Sequence, residues 1–166
     1  MATVNLAPFE GLNIDRICGN EFTDPAQNHC AHLVCHWLNL SFGYTCRSAG
    51  RANTDGANLR VHELFARCPL VGRWADKPDG NLLAFVTAAA NVELKAPHRM
   101  VNVPNKHVGI FVAPQIWNYD NTGDRVWKET VPVFEQRFRT KYGSTATLFF
   151  GTFPPGANTV IVGITS

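Results

Sequence analysis

The stretch Asn28-His29-Cys30-Ala31-His32-Leu33-Val34-Cys35-His36-Trp37-Leu38 puts two cysteines and three histidines into eleven residues. A thiolate is a strong nucleophile, and it forms most readily at a helix start, where free backbone N–H groups and the helix dipole stabilise negative charge. Cys30, Leu33, Val34, Trp37 and Leu38 fall at i, i+3, i+4, i+7 and i+8, one face of an amphipathic helix. Asn28, soon after Asp24-Pro25, is placed to cap that helix, so Cys30 is expected in its first turn.

A cysteine nucleophile needs a base, and the base needs a third group to orient it. Histidines stand at 29, 32, 36, 62, 98 and 107. The three beside Cys30 are too local for in-line proton transfer. His107 opens the apolar run His107-Val108-Gly109-Ile110-Phe111-Val112, directly after an irregular segment with Pro104 and two asparagines. Across a turn at Pro114-Gln115, Asn118 in Ile116-Trp117-Asn118-Tyr119 is expected as its cross-strand neighbour. An amide oxygen there can accept from the imidazole and hold its tautomer. Cys30, His107 and Asn118 are therefore expected as nucleophile, general base and orienting residue.

Zinc is the competing chemistry for the same helix. Ligands crowded into so short a segment cannot all face one ion, and no second Cys/His pair follows at finger spacing, so no metal is expected. No organic cofactor is implied either. Cys35, lacking the helix-terminus advantage, is expected to be structural. In the loop after the helix, Arg47 and Arg51 can grip a substrate carboxylate bidentately, although an ordinary solvated loop is the better explanation of them. His29, His32, Arg51 and Trp117 are the expected substrate-binding set.

The elements that must position these residues are legible in outline. A short helix fits Leu12 to Cys18, and the Cys30 helix runs to about Leu40, where Ser41-Phe42-Gly43 can end it. Residues 44–56 read as a loop, and Ala57 to Arg67 as a second helix stopped by Pro69. Pro78-Asp79-Gly80 marks a turn before the strand Leu82–Val86. The 107–112 and 116–119 strands follow as a hairpin. After the Asn121-Thr122-Gly123-Asp124 turn come Val126-Trp127 and a helix capped by Thr130, with Val131, Phe134 and Phe138 on one face. Strands at Ala146–Phe150 and Thr159–Ile164 close the chain. Helices first and antiparallel strands after, without βαβ alternation, predict a single α+β domain over residues 1–166, with helices packed on one face of an antiparallel sheet.

Composition narrows the partners. Lys plus Arg number 15 against 13 Asp plus Glu, without a basic cluster of any size, so no nucleic acid partner is expected. The longest mainly apolar stretch, Leu82 to Ala90, is too short to span a bilayer, so no membrane insertion is expected. Residues 1–12 show neither a basic segment nor an apolar run of the signal-peptide kind. Cysteines at 18, 30, 35, 46 and 68 leave the redox compartment open.

These motifs resemble the NlpC-type cell-wall peptidases. Asn-His-Cys-Ala-His-Leu-Val at a helix start, His-Val-Gly-Ile-Phe-Val at a strand start, and Ile-Trp-Asn-Tyr on the next strand follow that family's order. Pro78-Asp79-Gly80-Asn81-Leu82 resembles its Pro-x-Gly-Asp-Leu strand, and the similarity spans roughly residues 25–120. His29-Cys30-Ala31-His32-Leu33 departs from the usual Asp-Cys-Ser-Gly-Phe, and Asn118 stands where a histidine is common. The resemblance implies a papain-like fold and a thioester-forming cysteine peptidase or amidase. Its substrate would be a peptide or peptidoglycan fragment, and it would be cytoplasmic or exported by a signal-independent route. Asn-x-Cys-x-His-x-Val also resembles lecithin retinol acyltransferase-like proteins, whose histidine precedes the cysteine. Acyl transfer and a catalytically inactive binding module are the alternatives.

Overall fold

The computed structural model describes residues 2–49 and 56–163. Arg51 and the end of the last expected strand, Ile164, lie outside them. In chain order the elements are β1 (Thr3–Asn5), α1 (Cys30–Leu38), α2 (Cys46–Ala49), α3 (Val61–Arg67), β2 (Val71–Arg73), β3 (Leu82–Ala88), β4 (Val92–Glu93) and β5 (Arg99–Met100). Then follow β6 (Lys106–Val112), β7 (Gln115–Asp120), β8 (Arg125–Thr130), α4 (Val131–Tyr142), β9 (Ala146–Gly151) and β10 (Thr159–Ile161). Six strands form one antiparallel sheet in the order β2-β9-β3-β6-β7-β8, so the α+β class expected from the sequence is the class observed. β1 and β10 pair in parallel as a separate two-stranded unit; β10 falls within the last expected strand, whereas β1 has no periodic signal in the sequence.

Helices cover both faces of this sheet, not the single face expected. Alternation along β3 shows why: Leu83 and Phe85 join the core with α1 and α3, whereas Leu82, Ala84 and Val86 join Phe134 and Phe138 of α4. A central strand that is apolar at nearly every position is buried on both sides. Burying Phe134 and Phe138 completely contributes about 1.5–3 kcal/mol each, enough to hold α4 against the sheet.

The two α1 boundaries come from specific residues. Its C-terminus is Asn39, not the Ser41–Gly43 segment: Asn39 takes the left-handed conformation (φ 58°, ψ 50°), and its N–H bonds the carbonyls of Cys35 and His36. Asparagine tolerates that conformation better than most side chains. The N-terminus is tied to the β7–β8 turn. His29 N–H donates to Asn121 Oδ1 (2.9 Å), and Asn121 Nδ2 donates to Asn28 Oδ1 (3.2 Å). The start of α1 is therefore fixed by the sheet and not only by its own sequence.

Candidate active site

Cys30 is the first residue of α1, as the apolar spacing predicts. Asn28 Oδ1 accepts the Cys30 backbone N–H at 3.0 Å, although the residue in the cap position is His29. That bond occupies the N–H an oxyanion would otherwise use. Asn28, Cys30, Arg60 and Lys106 line a pocket of about 220 Å³. Asn28 and Pro104 also line an adjoining cleft of about 330 Å³, together with Lys141 and Tyr142.

β6 pairs with β7 only over its C-terminal half, from Ile110↔Trp117 to Val112↔Gln115. In the open half the Val108 N–H lies near enough to the Cys30 sulfur to favour its thiolate. The residue before it is His107, which is buried and meets Asn118 as predicted: the His107 Nε2 to Asn118 Oδ1 distance is 3.0 Å. Two residues that the sequence did not single out set the chemistry of this pair. Arg137 of α4 donates from Nη2 to Asn118 Oδ1 (3.0 Å), and Asn118 Nδ2 donates to Glu129 Oε1 (3.2 Å). Arg137 also grips Glu129 with Nε, 3.0 Å from both carboxylate oxygens, and with Nη2. An arginine is only a donor and a carboxylate only an acceptor, so the Asn118 amide has one orientation. Its oxygen must face His107, so Nε2 carries the proton and Nδ1 keeps its lone pair. The nearest signal for Arg137 is its place between Phe134 and Phe138; Glu129 gives none.

The nucleophile and the base approach from different sides of the sheet. In antiparallel register Phe85 faces Val108 and Val86 faces His107, so Val108 shares the α1 side and His107 the α4 side, where its ring stacks on Phe138 at 4.5 Å. Among the described residues no hydrogen bond joins Cys30 to His107. Burial pushes the Cys30 thiol up to about 11, outweighing the Val108 and Ala31 N–H groups and the positive charge of Lys106. Burial likewise lowers His107 to about 3, against the Asn118 bond that favours its protonation. The helix-start thiolate expected from the sequence is thus opposed by desolvation, and the resting pair is thiol and neutral imidazole.

Three expected substrate-binding residues are not in the cleft. Trp117 is fully buried in the α1-side core. His29 and His32 are also fully buried and bond each other through Nδ1 at 3.0 Å. Arg51, the fourth, lies outside the described residues. Cys35 is wholly buried, as expected of a structural cysteine.

His32 belongs to a different grouping. Its metal-capable ring nitrogen and that of His36, with the sulfurs of Cys18 and Cys46, all lie within 4.8 Å of one another. The absence of a second Cys/His pair at finger spacing therefore does not exclude a metal here. The second pair exists, but it comes from either side of α1 in the chain. Comparison with protein-family models, curated proteins and solved structures finds no match to this chain.

Proposed function

We propose that this chain is a papain-like cysteine hydrolase related to the NlpC-type peptidases, cleaving an amide bond through a thioester on Cys30. The observation that carries the reading is the His107–Asn118 pair, locked into the base-competent tautomer beside the strand opening that receives the Cys30 sulfur. In papain-like sites an asparagine holds the imidazole in the same role.

As the sulfur attacks the amide carbonyl and forms the C–S bond, the thiol proton is relayed through water to His107 Nδ1, since the two groups lie on different sides of the sheet. The Asn28 amide nitrogen stabilises the carbonyl oxygen as it becomes negative, since the Cys30 N–H is already taken. His107 then returns the proton to the leaving amine as the C–N bond breaks. Water attacks the thioester, giving its proton to His107, and the thiol is restored. Because both groups rest neutral, the proton moves during attack and not before it.

The substrate class follows from the resemblance and from charge. Peptidoglycan stem peptides carry free carboxylates, and Lys106 and Arg60 in the Cys30 pocket, with Lys141 in the adjoining cleft, are cations suited to them. The test is incubation with purified peptidoglycan fragments and mass analysis of the products. Cleaved stem peptides with the wild-type protein and intact ones with Cys30→Ala support the reading. Intact fragments with both proteins refute the peptidase assignment, and transfer of an acyl group to an added amine or alcohol identifies an acyltransferase instead.

A further inference from the structure

Cys18 follows the 3-10 turn Ile14–Arg16, His32 and His36 sit one turn apart on α1, and Cys46 opens α2. His32 Nε2 and His36 Nε2 are 3.1 Å apart, and Cys46 Sγ is 3.7 Å from His36 Nε2. Ligands on a tetrahedral zinc, with Zn–S about 2.3 Å and Zn–N about 2.05 Å, stand about 3.3 Å apart for N···N and about 3.5 Å for N···S. These two spacings are close to those values, and the four atoms all lie within 4.8 Å of one another, a small adjustment from a tetrahedral set.

The surrounding hydrogen bonds prepare three of these four atoms. His29 Nε2 lies 2.8 Å from the Asp24 carbonyl, which only accepts, so that nitrogen carries the His29 proton and Nδ1 is bare. His32 Nδ1 at 3.0 Å must then be the donor, which leaves the His32 Nε2 lone pair aimed into the cluster. Fixing a ligand's tautomer through its other ring nitrogen is what an outer-shell partner does at a metal site. Both sulfurs are surrounded by N–H donors: Asn20 N–H to Cys18 at 3.4 Å, and Asn20 Nδ2 and Ala57 N–H to Cys46 at 3.3 Å each. Such donors suit thiolates. Cys18, His32 and Cys46 are buried and His36 is half-buried, so four protein ligands would close the site.

We propose that Cys18, His32, His36 and Cys46 bind one structural zinc ion, with His29 as the outer-shell residue that orients His32. Binding releases the two thiol protons and gives an electrically neutral site, since two thiolates balance the dication and both imidazoles stay neutral. With all four positions taken by protein, the ion has no place for substrate. It fastens the N-terminal segment and α2 to the helix that carries Cys30. The inference is independent of the hydrolase reading, and Cys30 is not a ligand.

The experiment is elemental analysis of the purified full chain, coupled to cobalt(II) substitution. One zinc per chain is expected, retained by Cys30→Ala and lost by the Cys18→Ser/Cys46→Ser pair. If that pair fails to fold, the chelator-stripped wild-type chain still answers: added cobalt(II) should give the intense visible bands of a tetrahedral ion with thiolate charge transfer in the near ultraviolet. His29→Ala should weaken zinc binding by roughly 10–100-fold, the usual effect of removing an outer-shell partner. Absence of bound metal together with no cobalt spectrum overturns the proposal, as does a Cys18–Cys46 disulfide, seen by mass, in protein prepared under reducing conditions.

Discussion

Asn118→Ala is the most informative single change, because Asn118 connects a neutral imidazole to a charged pair. It removes the oxygen that accepts from His107 Nε2 and Arg137, and the amide that donates to Glu129. Arg137 and Glu129 keep each other, so that ion pair survives. His107, with 2% of its surface exposed, is left with a buried donor and no acceptor. An unsatisfied buried donor costs about 1–3 kcal/mol, and the small cavity left by the amide adds to it, so a total near 2–4 kcal/mol is expected. Urea unfolding followed by tryptophan fluorescence measures this directly, with an unchanged m-value showing that the loss lies in the native state. Hydrolysis should fall through kcat with little change in KM, because substrate binding does not use Asn118. A stability loss within about 0.5 kcal/mol, the range of ordinary surface substitutions, refutes the claim that Asn118 holds His107.

The same imidazole predicts an acid-sensitive fold. Burial holds His107 at about 3 against an ordinary 6.5, so the unfolded chain binds the extra proton first, and stability falls as pH drops from about 6.5 toward 3. At roughly 1.4 kcal/mol per unit, the shift amounts to about 3–6 kcal/mol. His107→Gln should flatten that slope in unfolding experiments, and an unaltered slope contradicts the assignment. Alkylation of Cys30 should be slow at neutral pH and rise about tenfold per pH unit toward 11, because only the thiolate reacts. Fast labelling at pH 7 refutes the buried-thiol picture. Gly109→Ala would place a Cβ 2.7 Å from the Trp117 carbonyl and 2.9 Å from the Asn118 Cβ. Backbone cannot yield there, so a loss of about 1–3 kcal/mol is expected on thermal unfolding, and an unchanged midpoint contradicts this packing.

Much of the site could be read from the sequence because it depends on local rules. The apolar period around Cys30 gives a helix starting at that residue, and the Pro114 turn gives the cross-strand approach of His107 and Asn118. The features not legible depend on long-range contacts. β3 and β6 are apolar at nearly every position, so alternation could not tell which face His107 takes or that α4 covers it. Arg137 and Glu129 reach Asn118 only once α4 folds back on the sheet. The Cys18/His32/His36/Cys46 cluster has its helical pair in plain view, but the two sulfurs arrive from irregular segments without any periodic signal. Desolvation of Cys30 is likewise a property of the finished core, and it opposes the helix-start argument that singled the residue out.

The central claim, that Cys30 forms a thioester with the substrate, is tested most directly by acid-quenched intact-protein mass spectrometry. The protein would be mixed briefly with peptidoglycan stem-peptide fragments, and the adducted residue located by digestion. The account predicts a transient mass increase equal to the acyl portion of the substrate, mapped to Cys30 and absent in Cys30→Ala. Product formation with no adduct on the wild-type chain, together with undiminished turnover by Cys30→Ala, would contradict it.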